Sequence, residues 1–199
     1  MNEEIHKDEI IKNAIIKAAQ DLFKQYGISK TTMEDIAQKT GKAKSTLYYY
    51  YKNKEEIFYA VANKETDEVT AFINEKINSQ NTAADKIVAY MTNSVAIFNQ
   101  KINLYGIVKG EIKEHWGIIN QIKQKLNSSE INKIADILRF GISNGEFRYL
   151  DDRDVEIFAY VLVIALRAIT ENLIYDNPYP DLESRIHMLL DVLLNGVKA

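Results

Sequence analysis

The chain has 199 residues, 46% hydrophobic and 27% charged, with no cysteine, two prolines and a net charge of −3. That is enough chain for one or two small domains with real cores, and the absence of thiols excludes disulfides and thiolate metal sites and points to a cytoplasmic protein. The N-terminal MNEEIHKDEIIKNAIIK has no apolar signal core, and the longest apolar run, Ile157 to Leu166, falls far short of the roughly 20 residues of a membrane span, so no membrane partner is expected.

The hydrophobic period is helical nearly everywhere, which predicts an all-α fold. Ile11, Ile15, Ala18, Ala19, Leu22, Phe23 and Tyr26 recur at three- and four-residue steps before Gly27, giving a first helix from about Asp8 to Tyr26. Thr32 stands three residues before Asp35 as a capping box, and a second helix with Met33, Ile36 and Ala37 on its apolar face ends at Gly41. A short third helix is expected from about Lys44 to Tyr50, and Asn53 caps a fourth running from Lys54 to about Asn78. Thr82 opens a fifth, to about Gln100. Segments around 103–115 and 118–127, interrupted by Gly106, Gly110 and Gly117, read as irregular. Ser128 or Ser129 then starts a helix closing at Gly145, Asp151 or Asp152 starts a long one to about Asp176, and Asp181 to Val197 forms the last.

Three helices in about 50 residues, the last two joined by a glycine turn, make a helix-turn-helix arrangement, whose second member enters the DNA major groove. The charge agrees: residues 1–54 carry ten lysines against seven acids, and the rest of the chain is acidic. The stretch TGKAKSTLYYYYKNKEE concentrates the signal. On a helical wheel Ala43, Tyr50 and Tyr51 fall near Leu47, with Tyr50 and Tyr51 packing inward, whereas Ser45, Tyr48 and Tyr49 fall on the far side. Outward phenols on a basic helix suit DNA, donating to phosphates while the rings lie along sugars or thymine methyls. Ser45 lets the backbone approach the groove floor, Lys44 reaches a guanine edge or a phosphate, and Lys54 adds charge at a helix N-terminus. Thr31 and Thr32 offer hydroxyls to the opposite phosphate strand, although Thr32 is a cap first.

Residues 14–57 resemble the DNA-binding head of the tetracycline-repressor (TetR/AcrR) family. The shared elements are the AA..LF..YG block, the TT...IA block, the glycine turn, the K.TLY.Y. block and the following K.E, about 45 residues in all. The resemblance implies a homodimer with a three-helix head, here residues 1–53, and a larger ligand-binding and dimerisation domain, here 54–199. It implies that Lys44, Ser45, Thr46, Tyr48 and Tyr49 sit on the recognition helix and that Thr32, Tyr48 and Lys54 contact phosphates. Lys42 stands where the family usually has a small apolar residue, with its charge near the DNA, Ser45 replaces a common glycine and Tyr51 a common phenylalanine.

In the body, EIFAYVLVIALRAITENLI is apolar almost all round and must be buried on more than one face. Together with the last helix it predicts a four-helix homodimer interface through about 152–176 and 181–197, and two linked heads read a near-palindrome of double-stranded operator DNA. Helices four to seven are expected to enclose a pocket lined by Phe72, Tyr90, Met91, Phe98, Tyr105, Trp116, Phe140 and Phe147, suited to a hydrophobic or aromatic small-molecule effector. The expected function is a transcriptional repressor released from its operator by that effector. The alternatives are an activator of the same fold and a helical small-molecule-binding protein that ignores DNA. A helical hydrolase or metalloenzyme is disfavoured: His6, His115 and His187 are scattered, and Glu111 with His115 supplies only two metal ligands. Neither catalysis nor a cofactor is expected.

Overall fold

The computed structural model describes the backbone of residues 2–111, 116–175 and 182–196, with side chains described outside 2–5, 98–116, 169–184 and a few further positions. Eight helices and no strand occur among the described residues: α1 (Asn2–Tyr26), α2 (Met33–Thr40), α3 (Lys44–Tyr50), α4 (Lys54–Asn78), α5 (Ala83–Glu111), α6 (Trp116–Ser143), α7 (Asp152–Tyr175) and α8 (Leu182–Asn195). No helix among the described residues is long and apolar enough to cross a membrane.

The chain divides into two compact units, Met1–Glu68 with Asn103–Ile122, and Val69–Ile102 with Lys123–Ala199. In the first unit, local signals place the helix ends. Gly27 terminates α1 at a φ of 87°. Thr32 and Asp35 close the capping box of α2, and Gly41, at φ 64°, supplies the left-handed turn into α3. Asn53 Oδ1 accepts the Glu56 N–H (2.8 Å) at the start of α4. Around these ends, Ile15, Ala19, Leu22 and Phe23 of α1 pack with Ile36 of α2, Leu47 of α3 and Ile57, Phe58 and Val61 of α4. Phe23 and Phe58 meet edge to face with centroids 6.0 Å apart.

The second unit has its own core, built from α4, α5, α6, α7 and α8 through Ile73, Ile87, Leu138, Leu162, Leu190 and their neighbours. Helix α4 contributes to both cores, with Ile57, Phe58 and Val61 in one and Ile73 and Ile77 in the other. Gly141 is required by close packing: a Cβ there would stand 2.3 Å from the Phe147 ring and 2.7 Å from the Ala83 Cβ.

The middle of the chain departs from the sequence expectation. Helix α5 continues past Gln100 to Glu111, and α6 runs unbroken from Trp116 through Ser128 and Ser129 to Ser143. Glycines at 106, 110 and 117 each weaken a helix by only about 1 kcal/mol, a penalty that a long, tertiary-stabilised helix absorbs. Helix α7 divides its apolar girdle into a buried and an exposed stripe. Val155, Ala159, Leu162, Val163 and Leu166 are buried, while Ile157, Tyr160, Val161 and Ile164 stand exposed along the opposite stripe. Met188, Leu189, Val192 and Leu193 of α8 are likewise exposed.

Candidate nucleic-acid interface

Helix α3 is seven residues long, and a single buried side chain, Leu47, anchors it in the head core. Tyr50 and Tyr51 are half-buried against that core, whereas Tyr48 and Tyr49 are 46% and 77% exposed. Ser45, Lys44 and Lys42 are exposed as well, and Thr46 is intermediate. The four adjacent phenols therefore split into an inner and an outer pair. The outer pair rests on near neighbours in α3, Tyr50 and Lys44, which partners distant in sequence hold in turn. The Tyr49 ring stacks edge to face on Tyr50 at 4.9 Å. The Tyr50 hydroxyl donates to Asp8 Oδ1 of α1 (2.6 Å), and this bond, with burial and the carboxylate charge adding to it, pushes the phenol up to about 12. The Lys44 ammonium pairs with Glu34 of α2 and lies 5.7 Å from the Tyr48 ring centroid.

Three of the expected contact residues have their donors engaged inside the head. Thr31 is buried, and its hydroxyl donates to the Gly27 carbonyl at 2.7 Å. Both donors of Thr32, hydroxyl and N–H, go to Asp35 Oδ2 at 2.7 and 2.9 Å. These bonds hold the Asp35 carboxyl below its ordinary range. The Lys54 ammonium turns inward onto the carbonyls of Ile28 (2.6 Å), Thr31 (2.8 Å) and, at 3.4 Å, Ser29. Lys54 thus ties the α1–α2 turn to the start of α4.

The expected effector-lining set also divides. Tyr90, Met91 and Phe147 are buried in the second core. Phe72 and Phe140 are each 38% exposed. Lysine ammoniums, from Lys76 and Lys86, stand 5.2 and 5.9 Å from their ring centroids. The side chains of Phe98, Tyr105 and Trp116, and His115 with its proposed partner Glu111, lie outside the described residues. Among the described residues no three metal-ligating side chains come together.

Residues 15–61, the helices just described, match the family model for bacterial regulatory proteins of the tetR family. The head of the chain is thus similar to that of the tetR family. The rest of the chain is similar to regulators too. It is 24% identical over 187 residues, 92% of this chain and 93% of the other, to the fatty acid metabolism regulator protein of Bacillus subtilis. It is 28% identical over 148 residues, 72% of this chain and 77% of the other, to the biofilm operon HTH-type negative transcriptional regulator IcaR of Staphylococcus aureus. Among solved structures, the regulator FadR of Bacillus subtilis in complex with stearoyl-CoA superposes with a TM-score of 0.65 at 25% identity, over 92% of this chain and 98% of that one.

Within this tetR-like head, Asp8, Glu34 and Lys12, whose ammonium lies 6.0 Å from the Tyr50 ring, support the outward face of α3. None was expected from sequence. Asp8 and Tyr50 are 42 positions apart, and a lone acidic residue near a chain start carries no pattern that separates a partner from a solvated charge.

Proposed function

We propose that the chain is a transcriptional repressor that binds a near-palindromic operator as a homodimer, one α3 in each of two successive major grooves, and leaves it when a hydrophobic effector occupies the body. The observation that carries this reading is the exposed row of Lys42, Lys44, Ser45, Tyr48 and Tyr49 on a head similar to that of the tetR family. Tyr48 and Tyr49 contribute phenol hydroxyls to phosphates and ring faces to sugars or thymine methyls, and Lys42 and Lys44 contribute charge. Lys44 exchanges its exposed Glu34 partner for a phosphate or guanine at little cost, since surface ion pairs are worth about 0–1 kcal/mol.

Dimerisation follows from the apolar stripes of α7 and α8, which a lone chain leaves in water. Ile157, Tyr160, Val161 and Ile164 repeat at helical spacing, and Val192 and Leu193 stand 68% and 45% exposed. The domain division is a DNA-reading head over about 1–53 and an effector and dimerisation body over about 54–199. Helix α4 transmits the signal, because its two ends belong to the two cores. A ligand that binds the released state better by about 1–3 kcal/mol shifts operator affinity about 5- to 150-fold. An acyl chain is the effector class of choice, supported by the apolar body and by the stearoyl-CoA held by the Bacillus regulator.

A mobility shift with duplex from upstream of the protein's own gene tests the reading. The expected result is a retarded band at about 50 mM salt that weakens steeply towards 200 mM and dissolves with stearoyl-CoA but not with coenzyme A alone. Absence of retardation by any upstream duplex at low salt sinks it.

A further inference from the structure

Helix α3 carries a lysine and phenols on its outward face and has no acid of its own. A carboxylate nevertheless stands against it. Glu34, in the first turn of α2, pairs with the Lys44 ammonium, and that ammonium lies 5.7 Å from the centroid of the exposed Tyr48 ring. Both members of the ion pair are half exposed. Asp35, the other acid of α2, accepts from the Thr32 hydroxyl and N–H and is committed to the capping box. Glu34 serves no such cap; among the described residues its carboxylate bonds Lys44.

A fixed negative charge beside a duplex works against phosphate binding. The conflict sharpens when Lys44 turns to DNA, because Glu34 then faces the duplex without its cation. Phosphates offer a carboxylate no donor, and base edges do. In the major groove a G·C pair presents guanine N7 and O6 as acceptors and, next to them, the cytosine N4 amino group as donor. An ammonium beside a carboxylate is the complement of that edge, three donors followed by an acceptor. An A·T pair fits less well. Its donor, adenine N6, lies between two acceptors, so a carboxylate aimed at it also meets thymine O4.

We infer that Lys44 and Glu34 act as a unit to read one G·C pair in each operator half-site. The ammonium donates to guanine N7 and O6, and the carboxylate accepts from the cytosine N4 amino group. Lys44 gives up Glu34 for guanine, and cytosine replaces it as the partner of Glu34. The two residues come from different helices, so the contact fixes α2 as well as α3 on the groove. The inference rests on the DNA-binding reading above and gives that reading a base pair.

Selection from randomised duplex by the full chain supplies the operator, and modified bases test the pair. Wild type should require one G·C pair in each half-site. N4-methylcytosine keeps base pairing but covers the groove-side N4–H. It should weaken wild type about tenfold per half-site, the worth of one hydrogen bond to a charged group, and leave Glu34→Ala unaffected. 7-Deazaguanine, which lacks N7, should weaken wild type and leave Lys44→Met unaffected. Asp21→Asn removes an acid of α1 that pairs with Lys39 instead, and should keep the wild-type base preference. Indifference of wild type to N4-methylcytosine at every selected position overturns the inference, whatever the variants do. So does a Glu34→Ala chain that tightens on selected and scrambled duplex alike and keeps its base preference, which would mark Glu34 as an opposing surface charge. Failure to select any duplex refutes the DNA-binding reading beneath it.

Discussion

Replacing Lys54 by methionine separates a structural lysine from a DNA-binding one. The substitution keeps most of the apolar stem and removes the ammonium that bonds the Ile28 and Thr31 carbonyls at 2.6 and 2.8 Å. A hydrogen bond to a charged group contributes about 1.5–3 kcal/mol. Water reaches this half-buried corner and partly replaces the lost donor, so the lower end applies, and two bonds give about 2–3 kcal/mol. At the 2–4 °C per kcal/mol typical of chains of this size, the melting midpoint should fall by about 5–10 °C. DNA binding provides the second readout. Each neutralised phosphate adds about 0.9 to the slope of log affinity against log salt, hence about 1.8 for two heads. If Lys54 faces the carbonyls, Lys54→Met lowers stability and leaves the slope unchanged. Lys42→Met, at an exposed position, should do the opposite. Thermal denaturation of the free protein and a salt series of mobility shifts measure both. An unchanged midpoint with a slope reduced by about 1.8 in Lys54→Met would refute the inward assignment.

Tyr49→Ala should weaken operator binding while changing stability by less than about 0.5 kcal/mol, because the ring is 77% exposed. Leu47→Ala, at a fully buried position in the head core, should cost about 2–5 kcal/mol in urea denaturation. The hydrogen bond to Asp8 holds the Tyr50 phenol protonated to about 12, so its stabilisation is complete below the ordinary tyrosine range near 10 and is lost as pH rises through about 12. Ultraviolet titration should show one tyrosine ionisation near 12 moving down towards 10 in Asp8→Ala, and an unchanged curve would disprove the pairing. Placing charge on the apolar stripes, Val161→Lys with Val192→Glu, should give a folded monomer by light scattering with operator affinity reduced at least tenfold, about 1.4 kcal/mol.

The helical class, the head and the two faces of α3 were legible in the residues themselves, because each rests on interactions within about four positions. The Thr32–Asp35 capping box, the Gly41 turn and the alternation of Leu47 with Tyr48 and Tyr49 are of this kind. The same local reasoning failed where a local signal was overruled. Glycines and serines that ordinarily end a helix lie inside α5 and α6. There, packing of the rest of each helix outweighs a penalty of about 1 kcal/mol per residue.

Side-chain employment was decided by tertiary structure alone. A lysine at a helix start reads as a phosphate contact until its ammonium is found on carbonyls 23 and 26 positions away. The start of α5 is closed by Glu146, whose Oε2 accepts the Ala83 N–H at 2.7 Å from 63 positions along the chain. Local sequence determines which helices form and which faces are apolar, since period and caps are short-range properties. Which polar atoms are left to meet DNA or an effector depends on long-range partners, and those exist only once the helices have packed.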